Sequence, residues 1–88
     1  NDLMEYAKMA KAEGKQLASF GFGRRFSLNY YYEQHVIYEE TPTYEALNNL
    51  LNNKNTVIVV KNINLDILRK KADFQIIKQG IKYSLIKG

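Results

Sequence analysis

The stretch Thr56-Val57-Ile58-Val59-Val60 limits the possible folds of this chain more than any other part of the sequence. All five residues are β-branched, and those after the threonine form an unbroken apolar run. This pattern is typical of a strand that is covered on both faces. We therefore expect this strand in the middle of a sheet that has helices on both of its faces.

Two helices are predicted before the middle of the chain. The first covers roughly residues 3–13, where apolar residues recur at helical spacing. Asp2 and Glu5 have the spacing of a capping box, and Gly14 is a suitable stop in the left-handed conformation. Residues 26–32 are short and aromatic, and their apolar spacing favours a second, short helix.

Two more helices are predicted on either side of the central strand. Thr41 followed by Pro42 indicates a helix start, because a capping hydroxyl precedes a proline at the first helical position. After the central strand, Asn64 is expected to cap the last helix. Ile63 and Leu68 have the spacing of a hydrophobic staple, which would bury both side chains.

Four further strands complete the predicted sheet, at residues 15–20, 36–38, 74–78 and 81–87. The last two are separated by Gln79-Gly80 and are expected to form a C-terminal β-hairpin with a two-residue turn. The alternation of helices and strands predicts a small α/β domain with a mixed, mainly parallel five-stranded sheet. The expected strand order is 2-1-3-5-4, with the last strand, which begins at Ile81, antiparallel and placed between the central strand and residues 74–78.

Composition excludes several classes of protein. A chain of 88 residues with 45% hydrophobic and 25% charged residues fits one small globular domain, residues 1–88, and is too apolar for a disordered segment. The absence of cysteine removes disulfides and thiolate zinc sites. His35 is the only histidine, so a histidine metal cluster is impossible and we interpret His35 as structural. The chain starts without methionine, so we expect a piece of a longer protein.

Charge is unevenly distributed along the chain. Residues 1–53 contain five Lys or Arg and seven Asp or Glu, whereas residues 54–88 contain eight and two. The basic second half could face an anionic surface such as phospholipid headgroups or nucleic acid. A solvated lysine-rich face is the alternative. Nucleic acid is not expected as a partner, because no recognised binding module is present.

The loop Gly21-Phe22-Gly23-Arg24-Arg25 is the strongest candidate for a binding site. Gly21 and Gly23 would let the backbone approach a ligand closely, and the loop follows the carboxyl end of a predicted strand. Arg24 and Arg25 would supply donors for a phosphate or carboxylate group. The loop matches neither a Walker motif nor a dinucleotide fingerprint. A tight turn with solvent-facing arginines is the alternative interpretation.

Two other groups of side chains were considered as sites. Glu39 and Glu40 are adjacent, so a strand would point them to opposite faces, and a general acid–base pair is not expected there. No catalytic residue, metal site or cofactor is predicted in these residues. A tyrosine-rich group could form a carbohydrate-stacking or membrane-interface surface, although core packing is the simpler account; its members are Tyr30, Tyr31, Tyr32, Tyr38 and Tyr44.

Three segments, in order along residues 15–88, form a recognisable pattern. They are Ser19-Phe20-Gly21-Phe22 with Ser27-Leu28 and Tyr31-Tyr32, then Val57-Ile58-Val59-Val60-Lys61 with a helix containing Leu65, then Ile77-Lys78-Gln79-Gly80-Ile81-Lys82-Tyr83-Ser84-Leu85-Ile86. Together they resemble the soluble C-terminal domain of polytopic membrane glycosyltransferases. The group is that of the aminoarabinose transferases acting on lipid A, which are related to protein O-mannosyltransferases.

The resemblance implies a function for the parent polypeptide. Such enzymes transfer a sugar from a polyprenyl-phosphate carrier to an acceptor on the extracytoplasmic face of the membrane. Their catalytic acidic residues lie in loops of the transmembrane part, so this fragment would be a non-catalytic accessory domain without a cofactor. Its partners would be the transmembrane part of the same polypeptide and anionic lipid headgroups or the carrier phosphate.

A second interpretation does not depend on this resemblance. The chain could be a stand-alone α/β module that binds a small anionic ligand at Gly21, Gly23, Arg24 and Arg25. A protein partner on the tyrosine surface is a further alternative. The sequence upstream of Asn1 distinguishes these interpretations, because hydrophobic spans there would favour the membrane enzyme.

Overall fold

The computed structural model describes residues 2–21, 37–39 and 43–88, and it describes side chains for 2–21 and 43–88. The predicted aromatic helix over residues 26–32 lies outside the described residues. The described helices are α1 (Asp2–Ala12), α2 (Tyr44–Asn52) and α3 (Leu65–Lys71), and a 3-10 turn over Asn62–Asn64 precedes α3. The described strands are β1 (Gln16–Phe20), β2 (Ile37–Glu39), β3 (Thr56–Lys61), β4 (Gln75–Gln79) and β5 (Tyr83–Lys87).

One open mixed sheet connects these strands. Its body consists of four strands of five or six residues, in the order β1-β3-β5-β4. The segment β2 has only three residues and pairs with β1. The full order is therefore β2-β1-β3-β5-β4. The body therefore has four full-length strands where five strands were predicted. The β2–β1 and β1–β3 pairs are parallel, whereas the β3–β5 and β5–β4 pairs are antiparallel. The prediction of a mainly parallel sheet is wrong, because the C-terminal hairpin inserts β5 antiparallel to β3.

Strand β3 separates two hydrophobic clusters. Val57 and Val59 pack on the side of α1, whereas Ile58 and Val60 pack on the side of α2 and α3. The predicted central position of this strand and the helices on both faces are thus confirmed. The α1-side cluster contains Leu3, Tyr6, Ala7, Ala10, Leu17, Val57, Val59 and Leu85. The α2/α3-side cluster contains Ala18, Phe20, Leu47, Leu51, Ile58, Val60, Leu65, Leu68 and Ile86.

Helix α1 ends as predicted, at a glycine in the left-handed conformation. Gly14 has φ of 65°, which a residue with a Cβ rarely adopts. The Gly14 N–H donates to Lys11 O (3.1 Å), and the Lys15 N–H donates to Ala10 O (2.9 Å). This pair of bonds is a Schellman motif, and it turns the chain from α1 into β1.

The starts of α2 and α3 differ from the predictions. The N-cap of α2 is Thr43 rather than Thr41, because Thr43 Oγ1 accepts a hydrogen bond from the Ala46 N–H at 3.0 Å. Asn64 does occupy the N-cap position of α3, but its side chain makes no capping hydrogen bond. A 3-10 turn over Asn62–Asn64 occupies the position of the predicted staple, and Ile63 is exposed.

A β-bulge changes the side-chain pattern of β4. Ile76 pairs with Ile86, but Lys78 rather than Ile77 pairs with Leu85, so Ile77 is an extra residue in this strand. Ile77 packs against the α1-side cluster, and the Lys78 ammonium group also lies on this side, where it pairs with the Glu5 carboxylate. Because of the bulge, two consecutive residues face α1.

The buried Tyr6 predicts a decrease in stability at high pH. Its hydroxyl donates to Tyr83 O at 2.7 Å, and burial, with the nearby Asp2 and Glu5 charges, raises the pKa of Tyr6 from 10.0 to about 12. The neutral hydroxyl is therefore favoured in the folded protein. Its contribution to stability is complete below pH 10 and is lost as the pH rises towards 12. Urea unfolding from pH 8 to 12 should show this decrease, and Tyr6→Phe should show a smaller one; an identical decrease would contradict the assignment.

Candidate functional site

The carboxyl ends of β1 and β3 lie at the same edge of the sheet, because these strands are parallel neighbours. Gly21 follows β1, and a Cβ placed on Gly21 would lie 3.8 Å from Asn64 Nδ2 in the 3-10 turn. Strand β5 begins at this edge as well, since it is antiparallel to β3 and Tyr83 pairs with Lys61. We call this the carboxyl edge, and three chain connections meet there.

A carboxylate from α1 holds the hairpin connection, which is residues 80–82 between β4 and β5, at this edge. Asp2 Oδ2 accepts hydrogen bonds from the Ile81 N–H (2.9 Å) and the Lys82 N–H (3.3 Å). Glu5, one helical turn further, pairs with Lys78. The predicted capping box is therefore wrong, because both carboxylates bind the C-terminal hairpin instead of the amino end of their own helix.

Asn62 fixes the other side of the same connection. Its Nδ2 donates to Gly80 O (2.8 Å), its backbone N–H donates to Lys82 O (2.9 Å), and its Oδ1 accepts a hydrogen bond from the Ser84 hydroxyl. Residues 80–82 thus form a three-residue connection, in place of the two-residue turn predicted at 79–80. Side chains far apart in sequence determine this turn.

Two isoleucines are exposed where these fixed turns meet solvent. Ile63 is 84% exposed and Ile81 is 91% exposed. Ile63 was predicted to pack in a hydrophobic staple, and Ile81 was predicted to begin the last strand. The staple at Ile63 is wrong because a 3-10 turn occupies its position, and Ile81 lies in the connection rather than in β5.

These isoleucines border a shallow groove of about 310 Å³. We call its lining the Ile63/Ile81 patch, and it comprises Lys61, Asn62, Ile63, Ile81, Lys82 and Tyr83. Lys61 and Lys82 place two cationic side chains beside the two exposed apolar ones. Exposed apolar residues with a polar rim are characteristic of interaction surfaces. The sequence offered no signal for this patch, because the buried Ile86 also has a lysine within two positions.

The predicted loop site is described only at its first residue. Gly21 follows β1 with φ of 90°, which suits a glycine. Gly23, Arg24 and Arg25 lie outside the described residues, so the anion site stays a prediction. The structure places the start of this loop at the carboxyl edge, beside the 3-10 turn.

The other sequence candidates are described only in part. Tyr44 is 42% exposed on α2, and Lys71 Nζ lies 5.4 Å from the centre of its ring, so Tyr44 is not a core residue. The remaining tyrosines of the group, with His35 and the Glu39-Glu40 pair, have side chains outside the described residues. The predicted tyrosine surface and the structural role of His35 therefore stay predictions.

A second cavity, of about 230 Å³, has a basic lining that the sequence did not reveal. Lys15, Lys54 and Lys87 border it, together with Glu13. Lys15 precedes β1, Lys54 precedes β3, and Lys87 ends the antiparallel β5, so the topology brings all three to the amino edge of β1 and β3. Their wide separation along the chain explains why no motif indicated this cavity.

Gly80 allows the close approach of Asp2 to the hairpin connection. A Cβ at position 80 would overlap the Asp2 carboxyl group. We expect Gly80→Ala to displace that carboxyl group, to weaken its two hydrogen bonds to the connection and to lower the free energy of unfolding by about 1–3 kcal/mol. Chemical denaturation of the variant measures this loss.

A double-mutant cycle separates this effect from backbone strain. In an Asp2→Ala background, Gly80→Ala should cost clearly less, because the overlapping group is absent. Gly14→Ala is the matched control: a Cβ there meets nothing within 4 Å, so its cost of about 1–2 kcal/mol arises from the positive φ alone and should not depend on Asp2. Equal costs of Gly80→Ala in both backgrounds would contradict the proposed overlap.

Three further observations concern the described residues. Within residues 2–21 and 43–88, no three His, Asp or Glu side chains converge as metal ligands would. None of the described helices is long and apolar enough to cross a membrane. Comparisons with family models, curated proteins and solved structures gave no match to this chain.

Proposed function

We propose that this chain is a non-catalytic accessory domain of a polytopic membrane glycosyltransferase. The parent enzyme transfers a sugar from a polyprenyl-phosphate carrier, and this domain lies on the extracytoplasmic face of the membrane. The proposal begins from the resemblance described above. The transmembrane part of the same polypeptide is the expected partner, and it would supply the catalytic acidic residues.

The observation that best supports the proposal is the composition of the carboxyl edge. The start of the glycine loop, the 3-10 turn and the hairpin connection meet there, and two exposed isoleucines lie between lysines. An edge with apolar and cationic side chains is suited to a position beside a membrane. The opposite, amino edge has no exposed isoleucine among the residues lining its cavity, since Ile77 is half-buried.

The coding sequence upstream of Asn1 tests this proposal directly. We expect ten or more hydrophobic spans there, in one reading frame with this domain. Membranes that contain the full polypeptide should then transfer a sugar from a polyprenyl-phosphate donor. A start codon just upstream of Asn1 would contradict the proposal.

The basic cavity favours a second candidate function, a stand-alone module that binds a small anionic ligand. Lys15, Lys54 and Lys87 are suited to a phosphate or carboxylate group, and Lys15 Nζ already donates to Lys54 O at 3.3 Å. Titration of the chain with inorganic pyrophosphate, followed by amide NMR shifts, tests this function. Shifts around Lys15 and Lys54 would place the ligand in the basic cavity, shifts at Gly21–Arg25 would place it in the loop, and no saturable shift would exclude both sites for this probe.

A further inference from the structure

We propose that the Ile63/Ile81 patch docks this domain on an anionic lipid surface. Ile63 and Ile81 would enter the boundary between headgroups and acyl chains, and Lys61 and Lys82 would contact the phosphate groups. This inference deepens the proposed function, which supplies the membrane, by naming the surface that meets the lipid. It assigns the contact to described residues outside the predicted glycine loop.

The exposure of the isoleucines is the first argument. Both side chains are at least 84% exposed, although the chain buries hydrophobic side chains on both faces of its sheet. Transfer of an isoleucine side chain out of water is favourable in proportion to the apolar area removed. A lipid surface would remove these two side chains from water without any change in the core.

The second argument is that the turns presenting these side chains are held in place. Asn62 binds the hairpin connection through its amide group and its backbone N–H, and Asp2 binds it from α1. The two isoleucines are therefore positioned before any contact forms. A preorganised surface loses less conformational entropy on binding than a flexible loop does.

Charge is the third argument, and it favours anionic lipid. Lys61 and Lys82 flank the isoleucines, and each lysine close to an anionic membrane contributes attraction. Among the described side chains, Asp2 is an acidic residue in contact with the connection, and its carboxylate already accepts two backbone hydrogen bonds. The patch therefore combines apolar insertion with cationic contacts, as interfacial segments do.

Its small size distinguishes this patch from a dimer interface. Among the described residues, six line the groove, whereas a stable protein–protein interface uses about 20–30 residues on each side. A planar lipid surface needs no such area, because insertion of a few side chains and electrostatic attraction add to each other. A second copy of the chain is therefore the less favoured occupant.

Vesicle co-sedimentation of the 88-residue chain tests the proposal. Vesicles of phosphatidylcholine with phosphatidylglycerol should bind the chain, and vesicles of phosphatidylcholine alone should bind it much less. Ile63→Ser/Ile81→Ser should lower the partition coefficient by about tenfold or more. Lys61→Ala and Lys82→Ala should each lower it by about fivefold.

Ile67→Ser is the matched control for the apolar substitutions. Ile67 is 54% exposed on α3 and does not line the groove, so this variant should bind as the wild type does. Lys70→Ala, in the last turn of α3, serves the same purpose for charge. Thermal unfolding of each variant shows whether a loss of binding arises from a loss of folding. We expect the isoleucine variants to stay folded, because Ile63 and Ile81 are exposed.

The possible outcomes separate this inference from the proposed function. Failure to bind anionic vesicles, or binding that the double isoleucine variant retains, would overturn the docking surface. Concentration-dependent dimerisation that Ile63→Ser/Ile81→Ser abolishes would also overturn it, by assigning the patch to a second copy. A parent gene without hydrophobic spans would remove the glycosyltransferase proposal and leave a positive vesicle result unchanged.

Discussion

Tyr6→Ala is expected to lower the free energy of unfolding by about 3–5 kcal/mol, as is typical when a large buried aromatic side chain is removed. Tyr6 is the largest fully buried side chain among the described residues and lies in the cluster on the α1 side of the sheet. Its removal would leave a cavity between α1 and the C-terminal hairpin. A domain of this size has a total stability of about 4–13 kcal/mol, so this loss is a large fraction of the total.

Tyr6→Phe separates packing from hydrogen bonding at the same position. The ring remains, and only the bond from the hydroxyl to Tyr83 O is lost, so we expect a decrease of about 1 kcal/mol. Urea denaturation of both variants, followed by circular dichroism, measures the two values. If the phenylalanine variant lost as much stability as the alanine variant, the hydrogen bond and not the packing would dominate.

Ile58→Ala is expected to cost about 2–5 kcal/mol on the opposite face of the sheet. Ile58 is 0% exposed and lies in the middle of β3, where it pairs with Ala18 on one side and Ile86 on the other. The removed atoms contact the cluster beneath α2 and α3, and the two neighbouring strands, β1 and β5, limit how far the backbone can relax. The same denaturation experiment measures this change.

Two control variants define how specific that loss is. Ile58→Val removes one methylene group and should cost about 0.5–1.5 kcal/mol. Ile67→Ala, at an exposed isoleucine, should change stability by no more than about 0.5 kcal/mol. Equal effects at positions 58 and 67 would contradict the two-sided core that the β3 pattern predicts.

The parts of the fold that follow local pattern were predictable from the sequence. The β-branched run at 56–60 indicated a strand covered on both faces, and Val57 and Ile58 do pack on opposite sides. Gly14 indicated the end of α1 correctly, because a left-handed residue is a local requirement. Each of these features depends on residues that are close together in the sequence.

The carboxyl edge could not be predicted in this way, because long-range hydrogen bonds determine it. Asp2 binds a connection about 80 residues later in the chain, and Asn62 binds the same connection. Local rules assigned Asp2 to a capping box and placed Ile81 in a strand. The first assignment failed because Asp2 binds the hairpin connection, and the second failed because this connection has three residues rather than two.

The Ile63/Ile81 patch was not predicted from the sequence, and the predicted loop site stays a prediction. The loop starting at Gly21 was expected at the carboxyl edge, where β1 does end. Ile63 and Ile81, which the structure exposes at this edge, were assigned to a hydrophobic staple and to the last strand. Hydrophobicity alone predicts burial, and only the positions of the surrounding turns reveal an exception.

The bulge in β4 affects how this domain behaves at high concentration. Strand β4 ends the described strand order, so its outer side offers backbone groups to which a strand from another molecule could add. The extra residue at Ile77 interrupts the regular repeat of those groups, and the exposed side chains of Gln75, Lys78 and Gln79 are polar or charged. Such irregular, charged strands oppose edge-to-edge aggregation in natural sheet proteins. We therefore expect the bulge that directs Lys78 towards α1 to oppose strand addition at β4 as well.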